Sequence, residues 1–153
     1  MDVYALLKKD HAKVKELFSE LEKTTERSVK KRETLFAELN TELTVHAEAE
    51  ETLFYPRVFK PKPTHEITLE ALEEHKVVKT LLAQLAADPK DTEEWAAKLK
   101  VLQENVEHHV EEEEGDLFKK AKTVLSKEEG DAIAEEIESF KEEKEAAEVE
   151  AKG

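Results

Sequence analysis

Two segments of the chain place a glutamate four residues after a histidine: His46 and Glu50 in HAEAE, and His109 and Glu113 in HVEEE. On a helix, residues four apart share a face, so each pair presents one imidazole and one carboxylate in the same direction. Two more histidines, His11 and His75, interrupt otherwise apolar stripes. A lone histidine on such a stripe is ordinarily a hydrogen-bonded core residue, and a lone glutamate a boundary one. Six such groups converging on one interior are a different case, because burying unpaired carboxylates and imidazoles costs several kcal/mol each against a total stability of about 5–15 kcal/mol. A metal ion removes that cost directly. Nitrogen and oxygen donors without sulfur suit iron, manganese or zinc. Six donors exceed the four that a tetrahedral zinc takes and fit two ions bridged by two glutamates.

The elements that must position these groups follow from composition and periodicity. The chain has 153 residues, enough for one domain with a buried core. Charged residues make up 41% and hydrophobic ones 39%, with three glycines and four prolines, a mixture that favours helix throughout. The net charge of −14 disfavours nucleic acid and anionic membrane as partners. The absence of cysteine excludes disulfides and thiolate metal sites. MDVYALLKKDH is charged too early for a secretory signal and no apolar run reaches membrane length, so the expected location is cytoplasmic and the expected state a monomer.

Punctuation divides the chain into helices. Asp2 caps a first helix reaching about Glu26. A second runs from about Ser28 to FKPKP, where Pro61 and Pro63 end it, with Pro56 expected as a kink or early stop. Thr64 opens a third that ends near Asp88-Pro89. Asp91 with Glu94 suggests a capping box for the fourth, and Ser126 with Glu129 one for a fifth. The fifth thins into KEEKEAAEVEAKG, polar all round and expected to fray. The fold class is therefore all-α: an up-down-up-down four-helix bundle over residues 1–125, with an additional C-terminal helix and acidic tail over 126–153.

Each seam carries one histidine. The first reads Tyr4, Leu7, His11, Val14, Phe18, Leu21; the second Leu35, Leu39, Leu43, His46, Glu50, Leu53. The third reads Leu72, His75, Val78, Leu82, Leu85; the fourth Trp95, Leu99, Leu102, Val106, His109, Glu113, Leu117. Counting from the helix ends at 1.5 Å per residue brings His11, His46 and His75 near one layer and leaves His109 roughly 8 Å from His75 in level. The ferritin-like di-metal scheme needs Glu three residues before a histidine. Those positions hold Lys8, Leu43, Lys62, Leu72, Asn105 and Val106, and HExxH is absent too.

In that order, Asp10-His11, HAEAEETLFYP from His46, Glu73-Glu74-His75 and HHVEEEEGDLF from His108 resemble the hemerythrin-like, or HHE cation-binding, domain over about residues 3–120. The resemblance implies two iron ions in a four-helix bundle, oxo- or hydroxo-bridged. The implied ligands are His11, His46, Glu50, His75, His109 and Glu113, with Glu50 and Glu113 bridging. Oxygen-carrying hemerythrins use a fifth histidine one turn from the third-helix ligand; here Ala71 and Lys79 flank His75 at that distance. The place is open, water-filled or taken by His108, Glu74, Glu51 or Tyr55. His65, in the proline-rich turn, is expected to be solvated. An apolar surround of Phe18, Leu43, Leu102 and Val106 would govern access. The functional expectation is a small-molecule binding protein for O2, NO or peroxide, or a sensor of oxygen or iron. The alternative is a di-iron enzyme decomposing hydrogen peroxide or oxidising a small substrate.

Overall fold

The structure is a computed structural model and describes residues 1–152, with side chains to Glu148. The Asp2 carboxylate accepts the Ala5 N–H at 2.8 Å and starts α1 (Val3–Glu22). This helix stops four residues short of the expected end, where Thr24 Oγ1 donates to the Leu21 carbonyl. The second rod is composite: α2 (Val29–Ala49), a π-helical turn π1 (Glu50–Phe54) and α3 (Tyr55–Phe59). Pro56 lies in the first turn of α3, where proline is tolerated, and the rod runs past it. Helix α4 spans Lys62–Ala87 with Pro61 as its extended N-cap. The fourth rod repeats the composite design: α5 (Glu93–Glu112), π2 (Glu113–Leu117) and α6 (Phe118–Val124). Its cap is Thr92 rather than Asp91, since the Thr92 hydroxyl accepts the Trp95 N–H at 3.1 Å.

These four rods form the up-down-up-down bundle. Helix α7 (Lys127–Lys152) follows a reciprocal capping box, with Ser126 N–H donating to Glu129 and Glu129 N–H to the Ser126 hydroxyl. Far from fraying at KEEKEAAEVEAK, α7 stays helical to Lys152, and its Lys144 and Glu148 side chains reach Glu48 and Thr41; the tail expectation for Gly153 lies outside the described residues. Ile133, Ala134 and Ile137 of α7 join Val3, Leu7, Phe54 and Phe118 in one apolar cluster.

The core is split in two. Below that first cluster, a second contains Val14, Phe18, Leu39, Leu43, Leu82, Leu102 and Val106. A belt of buried polar side chains separates them: His11, His46, Glu50, His109 and Glu113. Along α1, the order is Leu7, His11, Val14; along the fourth rod it is Val106, His109, Glu113, Leu117. A bundle seldom gives up a core layer without compensation, because each member must find a partner.

Candidate metal centre

All six sequence-derived residues come together in this belt. Glu50 Oε1 lies 3.1 Å from His46 Nε2 and 3.2 Å from His75 Nε2. Glu113 places Oε1 3.3 Å from His11 Nε2 and Oε2 3.2 Å from His109 Nε2. Each carboxylate therefore spans imidazoles on two rods. Donor atoms of His11, His46, Glu50 and Glu113 all fall within 4.8 Å of one another, and so do those of Glu50, His75 and His109. The two sets overlap at Glu50.

The donors fit a metal. His11 Nε2, His46 Nε2, both Glu50 oxygens and Glu113 Oε1 are buried without a hydrogen-bond partner, despite lying close together. Orphaned atoms in such number are an unusual expense for a folded core. Without a cation, the mutual charges of the imidazoles and carboxylates set where the protons of the belt sit, and these atoms stay unpartnered. Burial works against charge on His46, yet Glu50, Asp10 and Glu113 raise it to about 10. Burial likewise opposes charge on His75 and His109, and their neighbouring glutamates raise both. Burial would push Glu50 up, but His46, Glu113 and His75 close beside it hold it well below the usual carboxylate range. These are the groups that a divalent ion would order by replacing protons.

Each imidazole turns its other nitrogen toward a second carboxylate, and these contacts form a ring. Asp10 of α1 accepts from His46 Nδ1 on the second rod at 2.8 Å. Glu51 of the second rod accepts from His75 on α4 at 2.8 Å. Glu74 of α4 accepts from His109 on the fourth rod at 2.7 Å, and Glu114 of the fourth rod accepts from His11 on α1 at 2.6 Å. Every rod thus orients the next rod's histidine, fixing Nε2 as the inward nitrogen and raising its basicity. Glu51 and Glu74, two candidates for the open coordination place, are engaged in this outer ring. The sequence signal was available: each ring carboxylate is the immediate neighbour of a belt residue, as in Asp10-His11, Glu50-Glu51, Glu74-His75 and Glu113-Glu114.

His108 is not part of the belt. Its side chain is 63% exposed and contacts Glu112 at 3.1 Å. His65 is not freely solvated; its Nδ1–H donates to the Phe59 carbonyl at 2.6 Å.

Of the four candidates, Tyr55 is the one whose side chain reaches into the belt. Its hydroxyl donates to Glu113 Oε2 at 2.5 Å and lies 3.2 Å from His75 Nε2 and 3.4 Å from His109 Nε2. The π turns explain this. Tyr55 N–H bonds to the Glu50 carbonyl, and Phe118 N–H to the Glu113 carbonyl, both five residues back. A regular α-helix brings residue i+4 over residue i; a π turn brings i+5. Tyr55 thereby shares the face of Glu50, and the expected seam residue Leu53 is only partly buried while Phe54 and Tyr55 are fully so. Burial raises the Tyr55 phenol well above its ordinary value, with the Glu113 and Glu50 carboxylates adding to the effect.

A cavity of about 310 Å³ leads to the four histidines between α2 and α4. Leu43 and Val106 line it, as expected; Phe18 and Leu102 do not, and lie deeper in the second apolar cluster. Lys79, one turn after His75, stands on this lining and is exposed to solvent.

A four-rod bundle with imidazoles from every rod around two central carboxylates defines a helical cation-binding protein. The hemerythrin HHE cation binding domain model matches residues 2–121. The chain belongs to that family. It is similar to the crystal structure of a hemerythrin HHE cation binding domain-containing protein from Mycobacterium kansasii, at 26% identity and a TM-score of 0.77, covering 92% of this chain and 87% of that one. It is also 33% identical over 141 residues to a protein of Nostoc sp. (strain PCC 7120) named DNA nickase, covering 92% of this chain and 39% of the relative. The chain thus spans well under half the length of that curated relative. Among the described residues no helix is long and apolar enough to cross a membrane.

Proposed function

We propose that the belt holds two iron ions through His11, His46, Glu50, His75, His109 and Glu113, and that the centre binds O2 or a related small molecule such as NO or peroxide. The observation that carries this reading is the pair of donor sets sharing Glu50, both of whose oxygens are buried without a hydrogen-bond partner. Glu50 and Glu113 would bridge, His11 and His46 would serve one ion, and His75 and His109 the other. Such a pair supplies one electron from each iron to a small oxidant. The surrounding residues would orient the imidazoles through the outer ring, keep bulk water out with the two apolar clusters, and admit small molecules through the cavity between α2 and α4.

A second reading, decomposition of hydrogen peroxide at the same centre, is favoured by Tyr55. Its hydroxyl is a buried proton donor beside His75 and His109. Cycling the iron-loaded protein between argon and air tests the first reading, which expects a reversible charge-transfer band. Oxygen evolution from peroxide, faster than with free iron and lost in Tyr55→Phe, tests the second. The nickase activity named for the Nostoc relative is not carried over, because the net charge of −14 repels a phosphate backbone and most of that relative lies outside the matched region.

A further inference from the structure

Three of the four ring carboxylates share one setting, and the fourth does not. Glu51, Glu74 and Glu114 have no lysine or arginine within 4 Å among the described residues, and their side chains are 45%, 25% and 33% exposed. Asp10 is 12% exposed and is ion-paired to Lys141, itself only 19% exposed. The ammonium reaches Asp10 Oδ2, the same oxygen that accepts from His46 Nδ1. Lys141 belongs to α7, beyond the residues 2–121 matched by the family. Its position is well anchored: Ile133 and Ile137 are fully buried two turns and one turn before it, and Lys144 pairs with Glu48 at 3.2 Å one turn after.

We propose that Lys141 is a positioning residue by which α7 makes the two metal positions unequal, weakening the hold on the ion served by His11 and His46. The inference rests on the two-ion reading above. A carboxylate that accepts from a histidine raises the basicity of the ligating nitrogen and tightens the metal bond. An ammonium on the same oxygen draws charge away from that hydrogen bond and leaves His46 the poorer donor. It also sets a positive charge near one cation position and not the other, in a region where screening by water is small. The carboxylates serving His75 and His109 have no ammonium or guanidinium beside them among the described residues, and Glu74 has only the exposed imidazole of His108 at 3.7 Å. The ion beside them is the firmly held one, and the ion beside His46 is the one that exchanges first. Undocking α7 would erase the difference.

The test uses the full chain, loaded anaerobically with Fe(II) and challenged with excess chelator. Wild type is expected to release its two ions in separate phases. Lys141→Gln should slow the faster phase by about threefold to tenfold, and Lys141→Arg should restore it. A Lys144→Gln control, which removes a neighbouring cation of α7 while the buried Ile133 and Ile137 keep the helix docked, should leave both phases in place. A readout independent of iron is the proton spectrum of the zinc-loaded protein. There the His46 Nδ1–H resonance should move downfield in Lys141→Gln as its hydrogen bond to Asp10 strengthens, with the other three imidazoles unmoved. Two bound ions with unchanged phases and an unmoved His46 resonance, in a variant whose circular dichroism matches wild type, would overturn the role of Lys141 alone. Equal slowing by Lys144→Gln would do the same, reducing the effect to the loss of any cation from α7. Uptake of a single ion by wild type would overturn the two-ion reading and this inference with it.

Discussion

Tyr55 and Phe118 occupy matching places in the two composite rods, each five residues beyond a central glutamate and each delivered there by a π turn. Phe118 lies nearly parallel to His11, with centroids 6.5 Å apart and an interplanar angle of 8°. Tyr55 packs 5.2 Å from His75 and adds a hydroxyl aimed at the belt. The phenol marks one side of the centre as chemically different from the other.

Tyr55→Phe removes that difference with little change in volume. The variant should retain its metal and lose about 1 kcal/mol of stability with the hydrogen bond to Glu113. Any peroxide turnover should fall about 100-fold or more with the loss of the proton donor. Metal analysis beside oxygen-electrode rates separates the two effects; an unchanged rate would remove Tyr55 from the chemistry.

Glu50 is shared by both donor sets, whereas His75 belongs to one. Glu50→Gln should therefore depress binding of both ions, and His75→Ala should depress one, with the loss of a ligand weakening its ion by at least about 10–100-fold. Metal-to-protein ratios after dialysis against a weak chelator check this. Equal losses in the two variants would contradict the bridging assignment.

The metal-free protein should have a bounded pH range of greatest stability. His46 is raised from 6.5 to about 10, so its contribution is fully present below 6.5 and is lost as pH rises toward 10. Glu50 is held well below 4.5, so its contribution is present above 4.5 and is lost as pH falls further. Melting temperature of the apoprotein should peak between those ordinary values and decline through pH 7 to 10. Metal binding in that alkaline window should release protons, and affinity should climb with pH. Calorimetric titration in buffers of different ionisation enthalpy measures the release; no proton release at pH 7 would contradict the network.

Removing the metal should lower the melting temperature by an amount that grows with metal affinity, roughly 4 kcal/mol of stabilisation at a thousandfold excess over the dissociation constant. Thermal scans before and after chelation give the value. An unchanged melting temperature would indicate that the belt satisfies itself.

Much of this was legible in the sequence because it rests on regular spacing. His11, His46, His75 and His109 each continue an apolar stripe at intervals of three and four, which suffices to place them inward. The π turns broke that reading, since a 3.6-residue period cannot anticipate an inserted residue; Leu53 was expected where Tyr55 stands. The ring carboxylates were marked by standing next to belt residues, but which histidine each serves was hidden: Asp10, Glu51, Glu74 and Glu114 pair across rods, and such pairing has no local period. Helix α7 was read from its polar tail, while its hold comes from Ile133, Ile137 and ion pairs such as those of Lys141 with Asp10 and Lys144 with Glu48.

The most direct measurement is the iron content of the purified, iron-loaded chain, taken together with its optical spectrum. Two irons per chain with a charge-transfer band that disappears in Glu50→Gln is the expected result. One iron or none per chain, with a spectrum indifferent to that substitution, would contradict a paired-ion centre.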